Sequence, residues 1–276
     1  KILDIKHIED SRSSFKVNYR ELDSIMRWTD FYREPIDSSR LLLIKEIGLT
    51  SNGLSTGSNN YFLFNEKKRL ASLINERNFF YCLNNTYKIK NIILDQAMLN
   101  TLIEKNVDMY CLDVVDYSDS HIIDYLTLGL ETGINLKPTI KKREVWHKVN
   151  KCSPGDILIS SAFMDRVKII RNILKVSFTT SFIAVSFPDL SEEDIDLIFC
   201  FYLSSVGNNL LSRNARRLGN GLYKLQAKDL NDSYIIDISL ITRRDKEKIN
   251  RLYQLVREEP SNVPIDLLDK IFEKYV

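Results

Sequence analysis

The residues best suited to chemistry lie in one short run, Gly53-Leu-Ser-Thr-Gly-Ser-Asn-Asn-Tyr-Phe-Leu-Phe64. Its glycines let a backbone approach a second molecule closely, and Ser55, Thr56, Ser58, Asn59 and Asn60 offer neutral donors and acceptors. That chemistry suits a polyanion or the edge of a ligand; a plain turn entering a strand is the alternative. Three later segments are basic. Lys137-Pro-Thr-Ile-Lys-Lys-Arg-Glu-Val-Trp-His-Lys148 joins five cations, Lys141, Lys142 and Arg143 among them, to Trp146 and His147. Such a set neutralises phosphates and reaches or stacks on bases, or else forms an exposed strand edge that resists aggregation. In Asp165-Arg-Val-Lys-Ile-Ile-Arg-Asn172, Arg166 and Lys168 alternate with apolar residues as on a strand with one wet face. Arg171 and Asn172 then carry donors suited to phosphates or purine edges. Ser212-Arg-Asn-Ala-Arg-Arg-Leu-Gly-Asn-Gly-Leu-Tyr223 reads as a basic helix end meeting a tight turn. Arg213, Arg216 and Arg217 either complement the helix dipole or form a phosphate clamp with the backbone of Gly219, Asn220 and Gly221.

Patterns for turnover are missing. The chain carries no F-x-G-x-G run for S-adenosylmethionine, no Asn/Asp-Pro-Pro-Tyr/Phe, no Walker A and no H-E-x-x-H. Asp113, Asp116, Asp119, Asp124 and His121 fit no standard metal spacing and read better as a solvated acidic face. We therefore assign no catalytic residue, no metal ligand and no cofactor site to this stretch.

The elements that must position these segments follow from periodicity. The sequence predicts an α+β chain: a β-rich first two-thirds, then a helical third. Leu41 to Ile47 reads as a strand leading into the loop, and Tyr61 to Phe64 as the strand leaving it. Asn65 is placed to cap a helix over 66–75. Strands are expected at 110–115, 145–149, 156–160 and, as one or two strands, 173–187, with a helix over 118–130. Ser191-Glu-Glu-Asp opens a largely apolar helix with an acidic first turn. Further helices are expected at 208–218, 243–257 and 265–275, and Tyr19 to Trp28 has helical spacing near the start. The domains expected are a lead-in over 1–38, a β-rich recognition region over 39–190 and a helical part over 191–276.

The bulk numbers permit this. A chain of 276 residues, 44% hydrophobic and 28% charged, can bury a large core. The best membrane candidate, 169–187, is interrupted by Arg171 and Lys175, so no membrane partner is expected. Cys82, Cys111, Cys152 and Cys200 are widely spaced and read as reduced thiols of a cytoplasmic protein. Net charge is only +2, yet residues 91–136 hold eight acidic side chains against one basic, and residues 137–175 ten basic against three acidic. Such segregation makes one face attractive to phosphates, unless the two segments simply pair or are solvated. The start at Lys1, without Met, reads as a piece of a longer protein.

Taken in order, the segments resemble the C-terminal target-recognition region of adenine-specific DNA methyltransferases of restriction–modification systems. The family pattern has a G-x-x-T-G-x-N-x-x-F loop and strand, here Gly53 to Phe62. A basic R-x-x-W strand follows, here Arg143-Glu-Val-Trp146, then an R-x-x-x-N-like strand, here Val167 to Asn172. It closes on an R/G-rich turn with spaced leucines, here Arg216 to Leu230. The likeness spans about 41–239. Two departures stand out: Asn220 interrupts a turn that is often a glycine triplet, and the methyltransfer domain is absent. The resemblance implies recognition of double-stranded DNA for a parent enzyme that flips an adenine and methylates its exocyclic nitrogen. S-adenosylmethionine would belong to the parent's own N-terminal catalytic domain, with which this chain would partner. A specificity module serving a separate subunit or a fused nuclease, and an interaction domain without nucleic acid, are the rival readings.

Overall fold

A computed structural model describes residues 36–276 apart from 87, 88 and 90, so the helix expected at Tyr19–Trp28 lies outside the described residues. Contacts divide the chain into 1–37 and 38–276, and only the second unit is treated below. Its first elements are β1 (Leu41–Leu43), α1 (Ile44–Ile47), β2 (Leu49–Asn52), α2 (Asn59–Phe62), β3 (Leu63–Phe64) and α3 (Glu66–Ser72). Then come β4 (Phe79–Leu83), β5 (Ile93–Leu94), α4 (Gln96–Glu104), β6 (Tyr110–Leu112), α5 (Ser120–Glu131) and α6 (Pro138–Lys141). The central strands are β7 (Ile157–Ser160), β8 (Ala162–Phe163), β9 (Ile169–Asn172), β10 (Ser177–Phe178) and β11 (Phe182–Ser186). The last part holds α7 (Glu192–Leu203), α8 (Ser205–Ser212), β12 (Arg216–Arg217), β13 (Tyr223–Lys224), α9 (Ala227–Asn231), β14 (Tyr234–Ile236), α10 (Arg243–Glu258) and α11 (Ile265–Phe272). The fold is α+β.

The main sheet runs β2-β11-β7-β9-β5, antiparallel except for the parallel β5–β9 pair. A second sheet, β10-β4-β6-β3, packs an apolar face into a cluster that includes Phe62, Phe64, Met98, Leu102 and Phe178. Cys82, Cys111 and Cys200 are buried, Cys152 is half-buried, and all four thiols are free. Helix α7 starts where its sequence says it should, because the Ser191 side chain accepts from the Asp194 amide. From Ile195 onward nearly every residue of α7 is buried, so this helix is the core of the C-terminal part. Among the described residues no helix is long and apolar enough to cross a membrane; α7 and α8 together reach the length but bend by 81°.

The helical third is not a separate body. β1 pairs with β14, and β8 pairs with β13, so strands from both parts share sheets. Some elements differ from their sequence pattern. The 41–47 run stops being a strand at Leu43, because the Glu46 carboxylate takes the Leu43 amide at 2.6 Å and folds the rest into one helical turn. Tyr61 and Phe62 are helical rather than extended, since their amides both bond back to the Ser58 carbonyl. The expected strand at 145–149 is turn, and Arg216–Arg217 stand on a strand rather than at a helix end.

Candidate nucleic-acid interface

The Gly53–Asn60 loop is held in place at its root by two backbones in contact. A Cβ at Gly53 would lie 2.0 Å from the Thr179 carbonyl oxygen, a distance only glycine permits. On either side the Leu54 amide donates to Phe178 O (2.9 Å) and the Thr180 amide to Leu54 O (3.2 Å). Beyond that root the loop opens into a cleft of about 400 Å³ lined by residues 54–60, Lys137 and Thr180. Thr56 is buried, and its hydroxyl donates to the Asn59 side-chain oxygen. Ser55, Asn59 and Asn60 are exposed and Ser58 is half-buried. Lys137 reaches Ser58 Oγ at 2.6 Å, bringing one cation to the cleft wall. Lys137 and Thr180 complete the cleft, and nothing in the spacing of the loop itself pointed to them.

The 137–148 segment supports the cleft from behind. Pro138 opens the single turn α6, and the chain then folds through turns, with Arg143 N bonded to Ile140 O and Lys148 N to Val145 O. Arg143 does not face outward as a phosphate contact. Its guanidinium donates to Ser55 O and Thr56 O, both at 2.8 Å, and to Trp146 O at 3.2 Å, and it lies 5.2 Å from the Phe62 ring centre. Its bonds are spent on the loop. Trp146 packs beside Tyr61, 5.9 Å between ring centres, and Tyr61 stacks on Tyr125 at 4.6 Å. Tyr61 and Tyr125 exchange hydroxyl bonds to each other's carbonyls, and burial pushes both phenols above their ordinary range. Trp146 thus anchors the segment by packing. His147 shares a 2.9 Å bond with the Tyr117 hydroxyl; burial, helped by Lys148, holds its pKa below the ordinary value. Lys141 and Lys142 stay exposed.

The second basic segment is mostly consumed by the fold. Arg171 is fully buried and pairs with Asp196 at 2.7 Å and with Glu192, both on α7. Its remaining nitrogen bonds the Asp156 carbonyl at 3.2 Å. Asn172 is also buried and bonds Gly155 O and Val176 O, each at 3.0 Å. Both are buried with their donors used internally, which corrects the expectation that Arg171 and Asn172 offer donors to phosphates or purine edges. Arg166 closes the end of α7 by donating to Leu203 O at 2.7 Å, and Lys168 donates to Thr86 O at 3.1 Å. Burial lowers the pKa of Lys168, which marks it as an internal cation.

The third segment forms a hairpin. β12 and β13 pair antiparallel, with Arg216 opposite Lys224 and Arg217 opposite Tyr223. Gly219, Asn220 and Gly221 make the tip, where Asn220 (φ +57°) and Gly221 (φ +74°) are left-handed. Arg216 leans toward the buried Asp229 at 3.6 Å, Arg217 is exposed, and Arg213 is half-buried one turn before the hairpin. The acidic segment of the middle region is put to structural use. Asp119 caps α5, Asp116 accepts from Ser118 and Asp113 pairs with Lys151 at 2.7 Å.

The chain is similar in fold to two solved enzymes of low identity. The type IIG restriction endonuclease BpuSI matches with a TM-score of 0.55 and 18% identity, over 85% of this chain and 29% of that one. The Type IIL restriction–modification enzyme MmeI, solved in complex with DNA, matches with a TM-score of 0.51 and 14% identity, over 85% and 31%. In sequence the chain is 25% identical over 268 residues to Type II methyltransferase M.AccI of Acinetobacter calcoaceticus, covering 94% of this chain. It spans half the length of that relative. The family model for the C-terminal domain of Type II methyltransferase M.Eco57I matches residues 26–272. With nearly its whole length matched, the chain belongs to the family of that methyltransferase C-terminal domain, a region of restriction–modification enzymes.

Proposed function

We propose that this chain reads duplex DNA in a sequence-specific way for an adenine-N6 methyltransferase whose catalytic domain lies outside it. The observation that carries this reading is the cleft at residues 54–60: an open, polar edge set on a rigid root, walled by a lysine and lined by no carboxylate. Ser55, Ser58, Asn59 and Asn60 would meet the groove. Lys137, Lys141 and Lys142 beside them, and Arg213, Arg216 and Arg217 at the hairpin, would meet phosphates. Thr56, Arg143 and Trp146 keep the reading edge in shape, while Arg166 and Lys168 brace the elements beneath it. The glycines and Asn220 of the hairpin tip would let backbone approach the duplex.

Adenine as the target rests on the order of the sequence segments, and DNA as the partner is in keeping with the MmeI complex. The cleft does not fit S-adenosylmethionine. That cofactor is a sulfonium cation with ribose hydroxyls, and the cleft lining holds Lys137 and no acidic side chain. The cofactor therefore belongs, in this reading, to the catalytic domain, the chain's covalent partner. This chain's part is to bind, orient and hold the flanking duplex, so that binding energy offsets the cost of extruding a base. Free thiols and the absence of an apolar spanning helix among the described residues suit the cytoplasm.

The test is duplex binding by the chain as a function of salt. The affinity should fall with a log–log slope of about −0.9 for each phosphate neutralised. A chain that is folded by circular dichroism yet binds no duplex at low salt refutes the reading.

A further inference from the structure

The cleft at residues 54–60 has a chemical bias that its side chains alone do not show. The Arg143 guanidinium, which does not line the cleft, donates to Ser55 O and Thr56 O, both at 2.8 Å. Every described peptide bond is trans, and a trans peptide sets its N–H opposite its C=O. The amides of Thr56 and Gly57, which share those two peptide groups, therefore face away from Arg143. Neither has an acceptor among the described residues, although Thr56 is only 3% exposed. Buried amides are rarely left without one. A cation bonded to the carbonyl end of a peptide polarises the group and strengthens its N–H as a donor. Two adjacent amides of this kind favour an anion.

Lys137 completes the arrangement. Its amide donates to Ile134 O at 3.2 Å, and its carbonyl accepts from the Ile140 and Lys141 amides at 2.9 and 2.8 Å, so the root of the side chain is fixed. Loop and lysine are also packed together. Gly57 is left-handed (φ +69°), and a Cβ there would lie 2.7 Å from Ile140 Cγ1 in α6. One Nζ–H of Lys137 goes to Ser58 Oγ at 2.6 Å, which leaves two for a ligand. No described carboxylate lines the cleft to compete for them. Shape narrows the ligand further. Base edges lie at the floor of a groove about 8.5 Å deep, where a recess in a protein cannot reach. The phosphates stand on the ridges beside that groove and can enter a recess.

We infer that the cleft is a socket for one backbone phosphate of a duplex strand, held by the Thr56 and Gly57 amides, the Lys137 ammonium and the Ser58 hydroxyl. The inference rests on the DNA-reading function proposed above and adds to it the ligand of the cleft. Ser58 then meets the strand at the edge of the groove, and exposed Ser55, Asn59 and Asn60 remain for the base edges. Arg143 stays behind the loop and touches no DNA.

The experiment uses the whole chain. A duplex is enriched from a random pool by the parent chain, and each of its phosphates is replaced in turn by a neutral methylphosphonate. Affinities are then measured for the parent and for Lys137→Gln. Lys137 is exposed, so the variant should melt with the parent. On the unmodified duplex at about 0.1 M salt it should bind about eightfold less tightly, with a log–log salt slope shallower by about 0.9. At one position the methylphosphonate should cost the parent about eightfold more than it costs the variant. Equal costs in both proteins at every position overturn the socket and leave the DNA-reading function standing. A parent chain that enriches nothing overturns that function, and the socket with it. Amide spectra separate a strand from a free anion: the duplex should shift the Thr56 and Gly57 resonances, and inorganic phosphate at the same concentration should not. Shifts with inorganic phosphate and none with duplex assign the cleft to a small anion and overturn the strand contact.

Discussion

Arg143→Met is the most searching single test of how the loop at the cleft is held. Methionine keeps an apolar stem over the Phe62 ring and removes only the guanidinium. Three carbonyls then lose a charged donor: Ser55 O and Thr56 O at 2.8 Å and Trp146 O at 3.2 Å. Ser55 is exposed, so water can replace its lost bond, whereas Thr56 is 3% exposed and water reaches it poorly. A bond to a charged group is worth about 1.5–3 kcal/mol, and a buried acceptor left alone costs about 1–3 kcal/mol. Water largely replaces the Ser55 bond and the Trp146 bond is long at 3.2 Å, so the single buried Thr56 bond bears most of the loss, about 2–3 kcal/mol in all. If the loss is global, the melting temperature falls by about 4–12 °C for a unit of this size. If it is local, amide exchange across residues 53–60 accelerates by about 30- to 150-fold while the melting point holds. Arg143→Lys, a point donor that cannot span three carbonyls, should fall between. A variant that matches the parent in both melting and loop exchange would show that Arg143 does not hold the loop.

Two further outcomes follow from the same structure. Gly53→Ala would force a methyl to 2.0 Å from Thr179 O and part the backbones bonded at Leu54 and Thr180, costing about 3 kcal/mol; a denaturation midpoint equal to the parent's would refute this. Hydrogen bonds from Lys248, and then Tyr275 and Lys274, hold the Asp245 carboxyl well below the usual carboxylate range. Its contribution is therefore complete above the unfolded value of about 3.9 and is lost as pH falls toward the lower folded value. Asp245→Asn should be less stable than the parent at pH 7, with the gap narrowing below about pH 4; a gap that stays constant down to pH 2 would exclude this linkage.

Elements whose signals are local were readable from the sequence. Ser191 caps α7 as its pattern implied, Asn65 caps α3, and the strand at 157–160 and the helices near 243 and 265 fall where periodicity put them. Arg171 was not readable, because its partners lie more than twenty residues ahead on another element. A signal existed all the same. Glu192 and Asp196 are four apart, the spacing that sets two carboxylates on one face of a helix that is otherwise largely apolar. The hairpin was also signalled and passed over. Asn220-Gly221 between spaced leucines is a hairpin pattern, and the arginines before it drew the reading toward a helix end instead. The outward set of cations came through only in part. Sequence shows charge, but only the fold shows that Arg143, Arg166 and Lys168 spend theirs on carbonyls.

The pairing of β1 with β14 has a practical consequence for exchanging segments between relatives. Leu41–Leu43 find their partners at 234–236, and Arg40 donates to the carbonyl of Lys274 at 2.9 Å. A chimera that swaps only 39–190 would therefore split two shared sheets and mismatch α7 against the Arg171 that it neutralises. A chimera cut between Asp37 and Ser38, taking everything through the last helix, moves a self-consistent unit. The transplantable cassette is thus the entire 38–276 body, and the β-rich half cannot be traded without its helices.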